Sequence, residues 1–152
     1  MPQRLDFQQI LPAGARALGA VYMLAQHSGL AQTLIDLVYL RASQVNGCAY
    51  CIDMHSRDLI KAGVPMEKIL LLPVWHEIDG VFDARERAAL QWTEAVTRVA
   101  ESGVPEAAFA QVSSQFDEKS IADLTLAIGL INVYNRLAIA FRRTPESVAA
   151  AS

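Results

Sequence analysis

Apolar residues recur at helical spacing along almost the whole chain, and no stretch of useful length alternates at the two-residue period of a strand. The first predicted helix starts near Pro12, a residue suited to a first turn, and runs to about Gln26 with Leu18, Tyr22 and Ala25 on one side. Ser28 is a candidate N-cap for a second, from about Leu30 to Val45, whose Leu34, Leu37, Val38 and Leu40 crowd one face. Asn46-Gly47 breaks it, because both residues tolerate the left-handed backbone that ends helices. A third helix begins at about Cys48 and stops before Gly63; a short fourth runs from Val64-Pro65 through Leu71 until Pro73 interrupts it. After a turn at Asp79-Gly80, Asp83 and Glu86 have capping-box spacing for a helix reaching Ser102, with Gly103 as its stop. Pro105 opens a sixth to about Gln115, and Asp117 caps a seventh, from Glu118 to about Arg142. The predicted fold class is all-α, about seven helices with short connections.

Composition narrows what this bundle can do. A chain of 152 residues is most simply one domain, 1–152. Hydrophobic residues make up 53% and charged residues 19%, an apolar excess that points to subunit interfaces. A net charge of −3, with no basic stripe, argues against a nucleic-acid partner. No membrane association is expected, because the strongest apolar stretch, Leu124 to Val133, is broken by Gly129 and Asn132. The start of the chain lacks the charged-then-apolar pattern of a signal peptide, so a cytoplasmic location is expected. In a reducing compartment, two close cysteines point to catalysis or metal binding rather than to a structural staple.

Both cysteines of the protein lie in one short stretch, Cys48-Ala49-Tyr50-Cys51-Ile52-Asp53-Met54-His55. Two thiols three residues apart can close a disulfide within one helical turn. At a helix start, Cys48 meets free backbone N–H groups and the positive end of the macrodipole, both of which favour thiolate. Cys51 and His55 follow on the same stripe, at i+3 and i+7. His55 is therefore placed to take a proton from one thiol and return it to a leaving group. Its orienting partner should be a carboxylate. Asp53 is turned about 200° around the helix from His55 and faces away. Asp36 stands alone in the apolar run Leu34-Ile35-Asp36-Leu37-Val38 of the preceding helix, which suits a residue facing a site. The dipole favours Cys48 as the attacking thiol and proximity to His55 favours Cys51; we take Cys51 as the attacking thiol and Cys48 as the resolving one.

The run from Asp36 to His55 resembles the core motif of AhpD-like alkylhydroperoxidases, within the carboxymuconolactone decarboxylase family. That motif is a glutamate, a first cysteine twelve residues on, and then Cys-x-x-Cys-x-x-x-His. Trp75, Glu86-Arg87-Ala88-Ala89-Leu90, Trp92-Thr93-Glu94-Ala95 and Asn132-Val133-Tyr134-Asn135-Arg136 are similar to the same subfamily, so the likeness covers about Leu30 to Phe141. The resemblance implies a helical subunit in a homotrimer or homohexamer. It also implies reduction of a small hydroperoxide without metal or organic cofactor, with the disulfide re-reduced by a dithiol or a redox carrier protein. Carried over, the thiols are Cys48 and Cys51 and the proton relay is Asp36 and His55. Two positions depart from the pattern: Asp36 stands where the family has glutamate, and Tyr50 where founding members have histidine, leaving a phenol of reference pKa about 10 as auxiliary acid.

Other readings of these residues compete. Cys48, Cys51 and His55 supply three zinc ligands, with Asp36 or His27 as a fourth, for a zinc-bound or redox-sensing oligomer. Decarboxylation of carboxymuconolactone, the chemistry of the family's namesake, needs no cysteine pair. A salt bridge to Arg41 would explain Asp36 without a site. His27 and His76 read as ordinary histidines, Trp75 and Trp92 as core or interface, Glu86 as a cap, and Asn132, Asn135 and Arg136 as a hydrogen-bonded network or subunit contact.

Overall fold

The computed structural model describes residues 2–149; Met1 and residues 150–152 of the alanine-rich tail lie outside the described part. Among the described residues there is no strand. The helices are α1 (Phe7–Ile10), α2 (Pro12–Gln26), α3 (Gln32–Asn46), α4 (Ala49–Lys61), α5 (Met66–Leu71), α6 (Ala84–Thr97), α7 (Val99–Ser102), α8 (Glu106–Ser113), α9 (Glu118–Phe141) and α10 (Glu146–Ala149), with a 3-10 segment over Leu72–Glu77. The seven predicted helices are all present. The helix expected to run from Asp83 to Ser102 is split at Arg98 into α6 and α7. Single-turn helices α1 and α10 were not predicted, since four residues carry too little periodicity to register.

Several caps follow the sequence signals. Asp83 and Glu86 form the reciprocal capping box on α6, and the Asp117 carboxylate accepts from Ser120 N–H at 2.8 Å. Ser28 is not the N-cap of α3. Its hydroxyl donates to Ala25 O at 2.7 Å and accepts from Leu30 N–H, tying off α2 instead, so α3 starts two residues later than expected, after Ala31.

The end of α3 sets the position of the thiols. Gly47 takes φ +70°, the left-handed conformation only glycine adopts at no steric cost. Its N–H bonds to Gln44 O, and the next N–H, that of Cys48, bonds to Ser43 O at 2.9 Å, a Schellman closure. Cys48 is thus both the residue that seals α3 and the N-cap of α4, where its sulfur accepts from Cys51 N–H at 3.3 Å.

Helix α3 is buried along ten consecutive residues, Leu34 to Ser43, rather than on one face. It packs against α4, α6 and α9, and so contributes to two apolar clusters. Ile35, Val38, Tyr39 and Ala42 enter one with Trp92, Leu124, Ile128 and Ile131. Leu37 and Leu40 enter the other with Leu59, Leu72, Trp75 and Leu90. Both tryptophans are core residues. The charged pair on α3 splits between environments. Arg41 does not pair with Asp36: it bonds Glu94 at 2.7 Å, and Trp75 Nε1 donates to the same Glu94 oxygen at 2.7 Å.

Helix α9 amends one expectation. By length and composition it is apolar enough to cross a membrane, because Gly129 and Asn132 do not interrupt the helix. It packs against α2, α3, α4, α6 and α8 and brings buried Asn135 to the thiols.

Candidate active site

Cys48 and Cys51 are both buried and both free thiols. Asn135, buried in α9, hydrogen-bonds both sulfurs, and Ser43 hydrogen-bonds that of Cys51. Asn135 is itself held rigidly: its Nδ2 donates to Ser43 Oγ at 3.0 Å and its Oδ1 accepts from Asn46 Nδ2 at 2.9 Å. Asn132 extends the network through Asn46 and Thr97, and Arg136 donates to Asn132. The polar residues of the apolar-looking α9 are thus a hydrogen-bonded network, as read from sequence, but one that ends on the thiols. That last link was missed. The signal available was an Asn pair three residues apart on an otherwise buried helix.

The two thiols are driven apart in acidity. Cys48 is pulled down to about 7, first by the hydrogen bond from the Cys51 thiol and further by the backbone N–H groups of Cys51 and Tyr50 and by Asn135. Cys51 is pushed up, because it donates that bond to Cys48 and is desolvated. Cys48 therefore ionises first, placing the charge at the helix N-terminus while the remaining proton stays on Cys51.

His55 lies in the same stripe, 3% exposed, with its ring 5.0 Å from that of Tyr39. Burial lowers its pKa to about 4, so it is a neutral imidazole at pH 7. Among the described residues, neither ring nitrogen has a hydrogen-bond partner, and neither does the buried Tyr39 hydroxyl. Two carboxylates face it. Asp36 and Asp58 have oxygens within 4.8 Å of a His55 nitrogen and of each other. Asp36 comes from α3 as the sequence suggested; it is buried, accepts from Gln32 Nε2 at 3.1 Å, and is pushed up to about 6 by desolvation. Asp58 Oδ2 stands 3.5 Å from His55 Nδ1. Its place at i+3 from His55 on α4 was the available signal, and it was overlooked. Asp53 faces away, bonded to Ser147 and Arg57.

Tyr50 points elsewhere than the sulfurs. Its hydroxyl donates to Glu146 Oε1 at 3.2 Å and Arg143 stacks 4.0 Å over its ring, so α10 is clasped to α4 through it. Burial pushes this phenol up; Arg143 pulls it down by less, and Glu146 pushes it up further. A cavity of about 480 Å³ opens between α2, α4 and α9, lined by Tyr22, Cys51, Met54, His55, Asp58 and Tyr134 among others. Cys48 opens instead into a second cleft, of about 360 Å³, beside Tyr50, Arg142 and Pro145. Among the described residues, the group that could hold a metal ion is Asp36, His55 and Asp58, which excludes both thiols. His27 is engaged with Met23 O at 2.8 Å.

The profile of the carboxymuconolactone decarboxylase family matches residues 12–95, which take in α2, the thiols and the His55 pocket. The chain belongs to that family. A Bacillus subtilis relative, the uncharacterized protein YdfG, is 36% identical over 140 residues, 92% of this chain and 95% of that protein. Among solved structures, the Agrobacterium tumefaciens protein ATU0492, of unknown function and provisionally described as an antioxidant defence protein AhpD, superposes with a TM-score of 0.92 at 39% identity, covering 95% of this chain and 98% of that one. The debrominase Bmp8 shares the fold, with a TM-score of 0.78 at 19% identity over 92% of this chain and 75% of its own. This member of the family is thus AhpD-like in fold and keeps the Cys48–Cys51 pair.

Proposed function

We propose that the protein is a thiol-dependent hydroperoxide reductase. The observation that carries this reading is the pair of buried free thiols one helical turn apart, one of which opens into a cavity beside a buried histidine. Peroxide reduction uses such a pair directly; lactone decarboxylation does not.

The hydroperoxide enters the cavity at Cys51. The Cys51 sulfur attacks the terminal oxygen and the O–O bond breaks. The Cys51 proton passes along its hydrogen bond to the Cys48 thiolate, and the departing alkoxide takes a proton from the His55 N–H. With one proton taken up on the other nitrogen of His55, the products are Cys51 sulfenic acid, Cys48 thiol, the alcohol and neutral His55. Cys48 then condenses with the sulfenic acid, forming the disulfide and releasing water. A dithiol, free or on a carrier protein, reduces the disulfide and returns the pair to its resting form with release of one proton. His55 is suited to this because its depressed pKa keeps it neutral: it gives a proton from one nitrogen and takes one on the other, with Asp36 as the buried acid beside it. No metal or organic cofactor takes part. We also assign the exposed apolar side chains of α2, among them Tyr22, Met23 and Leu24, to a homo-oligomer interface, in a trimer or hexamer.

Sulfenic acid trapping in single-cysteine variants tests the order of attack. Cys48→Ser should accumulate a trapped sulfenate on Cys51 after one equivalent of hydroperoxide. Trapping only on Cys48, in Cys51→Ser, would contradict the assignment.

A further inference from the structure

Each reductive turnover in the scheme above draws one proton from solvent, to complete the alcohol, and releases one when the disulfide is reopened. Yet His55, which delivers it, is sealed: its side chain is 4% exposed. Asp36 is equally sealed, and one of its oxygens is held by Gln32. Asp58 reaches both water and the imidazole: its side chain is 49% exposed and its Oδ2 lies 3.5 Å from His55 Nδ1.

We propose that Asp58 is the proton port of the site, passing protons between solvent and His55 Nδ1 while Nε2 serves the alkoxide. The inference rests on the peroxidase reading and extends it to a residue that neither the family motif nor the sequence pattern marked. The separation is too long for a formed hydrogen bond, and rotation of a half-exposed side chain by a few tenths of an ångström closes it, as is common when unliganded sites take up substrate. The cavity itself reaches from Cys51 past His55 to Asp58, so the path is continuous. The setting favours a carboxyl that keeps its proton longer than usual: desolvation raises Asp58, Lys61 on the same helix lowers it less, and Glu146 of α10 raises it further. Asp36 and Tyr39 of α3, Tyr22 of α2 and Tyr134 of α9 are the other titratable groups grouped here. All four are neutral or acidic, so no cation competes for the Asp58 carboxylate from those helices.

Balance is kept in both directions. In the oxidative half, Asp58 relays a proton from hydronium or a buffer acid in solvent to Nδ1 as Nε2–H protonates the alkoxide. In the reductive half, the proton released on reforming the Cys48 thiolate leaves along the same path.

Steady-state hydroperoxide reduction with dithiothreitol, in Asp58→Asn and Asp58→Glu, tests the port. Asp58→Asn should lower kcat at least tenfold with KM unchanged. The lost rate should return in proportion to added small buffer acid, such as formic acid or imidazolium, while Asp58→Glu should retain most activity without added acid. A merely structural role for Asp58 would give no dependence on buffer acid. An Asp58→Asn rate within twofold of wild type, or a low rate insensitive to buffer acid, would overturn the port while leaving the peroxidase reading intact. Wild-type protein that consumes no hydroperoxide would overturn both.

Discussion

Two buried charges sit five residues apart on α3, and their surroundings differ in kind. Arg41 is paired: its Nε–H donates to Glu94 and its Nη1 to Gln44, and Trp75 donates to the same Glu94. Asp36 has one amide partner and then faces a histidine and a tyrosine hydroxyl that, among the described residues, have no hydrogen bond. Buried polar groups left open in this way carry a free-energy cost of about 1–3 kcal/mol each, so they persist where chemistry uses them. The Arg41 side is architecture. The Asp36 side is where the proposed chemistry takes place. One helix supports both because it is buried all round, with each end of the pattern served by a different cluster.

The largest expected contrast comes from removing one charge at each place. Glu94→Ala strands Arg41 and leaves Trp75 without its acceptor; denaturant unfolding should show a loss of about 2–3 kcal/mol, below a fully buried pair because both partners keep some water contact. Thiol reactivity should be unchanged in the same variant. Asp36→Asn should act the other way. Its carboxyl is raised to about 6 by burial, so the ionised form is the costly one above that pH. The native state binds this proton more tightly than the unfolded chain does, and the stability so gained is lost as pH rises from about 4 to 6. The variant, having no such group, should be at least as stable as wild type at pH 8 while its hydroperoxide reduction falls. A loss of stability at pH 8 would erase the distinction between the two charges.

Next in size is Asn135→Ala. It removes a donor to both sulfurs and the acceptor for Asn46, so we expect about 1–3 kcal/mol of destabilisation. The distinctive readout is the pH dependence of iodoacetamide alkylation: the midpoint for Cys48 should move up from about 7. An unmoved midpoint would mean that Cys51 and the α4 N-terminus alone hold the thiolate.

His55 supplies a smaller effect, visible only in acid. Its folded-state pKa of about 4 lies below the usual value, so the unfolded chain takes up the proton first. Stability should fall as pH drops from about 6.5 towards 4, and His55→Gln should flatten that part of the curve. Tyr50→Phe should change least. It loses one bond to Glu146 on a short terminal helix, and hydroperoxide reduction should stay within about twofold of wild type, consistent with the modest worth of a partly exposed hydrogen bond.

These contrasts also mark what the sequence could tell. The seven longer helices were legible because caps and breaks agree with periodicity: Asp83 with Glu86, Asp117, and Asn46-Gly47 before Cys48. The thiol stripe was legible because spacing on one helix fixes direction. Partners between helices were not. Nothing in the spacing says that Arg41 turns to Glu94, more than fifty residues on, rather than to Asp36. Nor does it say that the Asn132–Asn135 pair of α9 reaches the sulfurs. Asp58 is the opposite case: it lies one turn from His55 on the same helix, so its proximity was legible from spacing alone.

The central claim is that Cys48 and Cys51 form one redox unit that reduces a hydroperoxide. Its most direct test is to mix fully reduced protein with one equivalent of an organic hydroperoxide, without reductant, and follow both reactants. The account predicts stoichiometric conversion to the alcohol, with loss of two thiols per chain and an intramolecular Cys48–Cys51 disulfide by mass. Peroxide left unconsumed while both thiols remain free would contradict it.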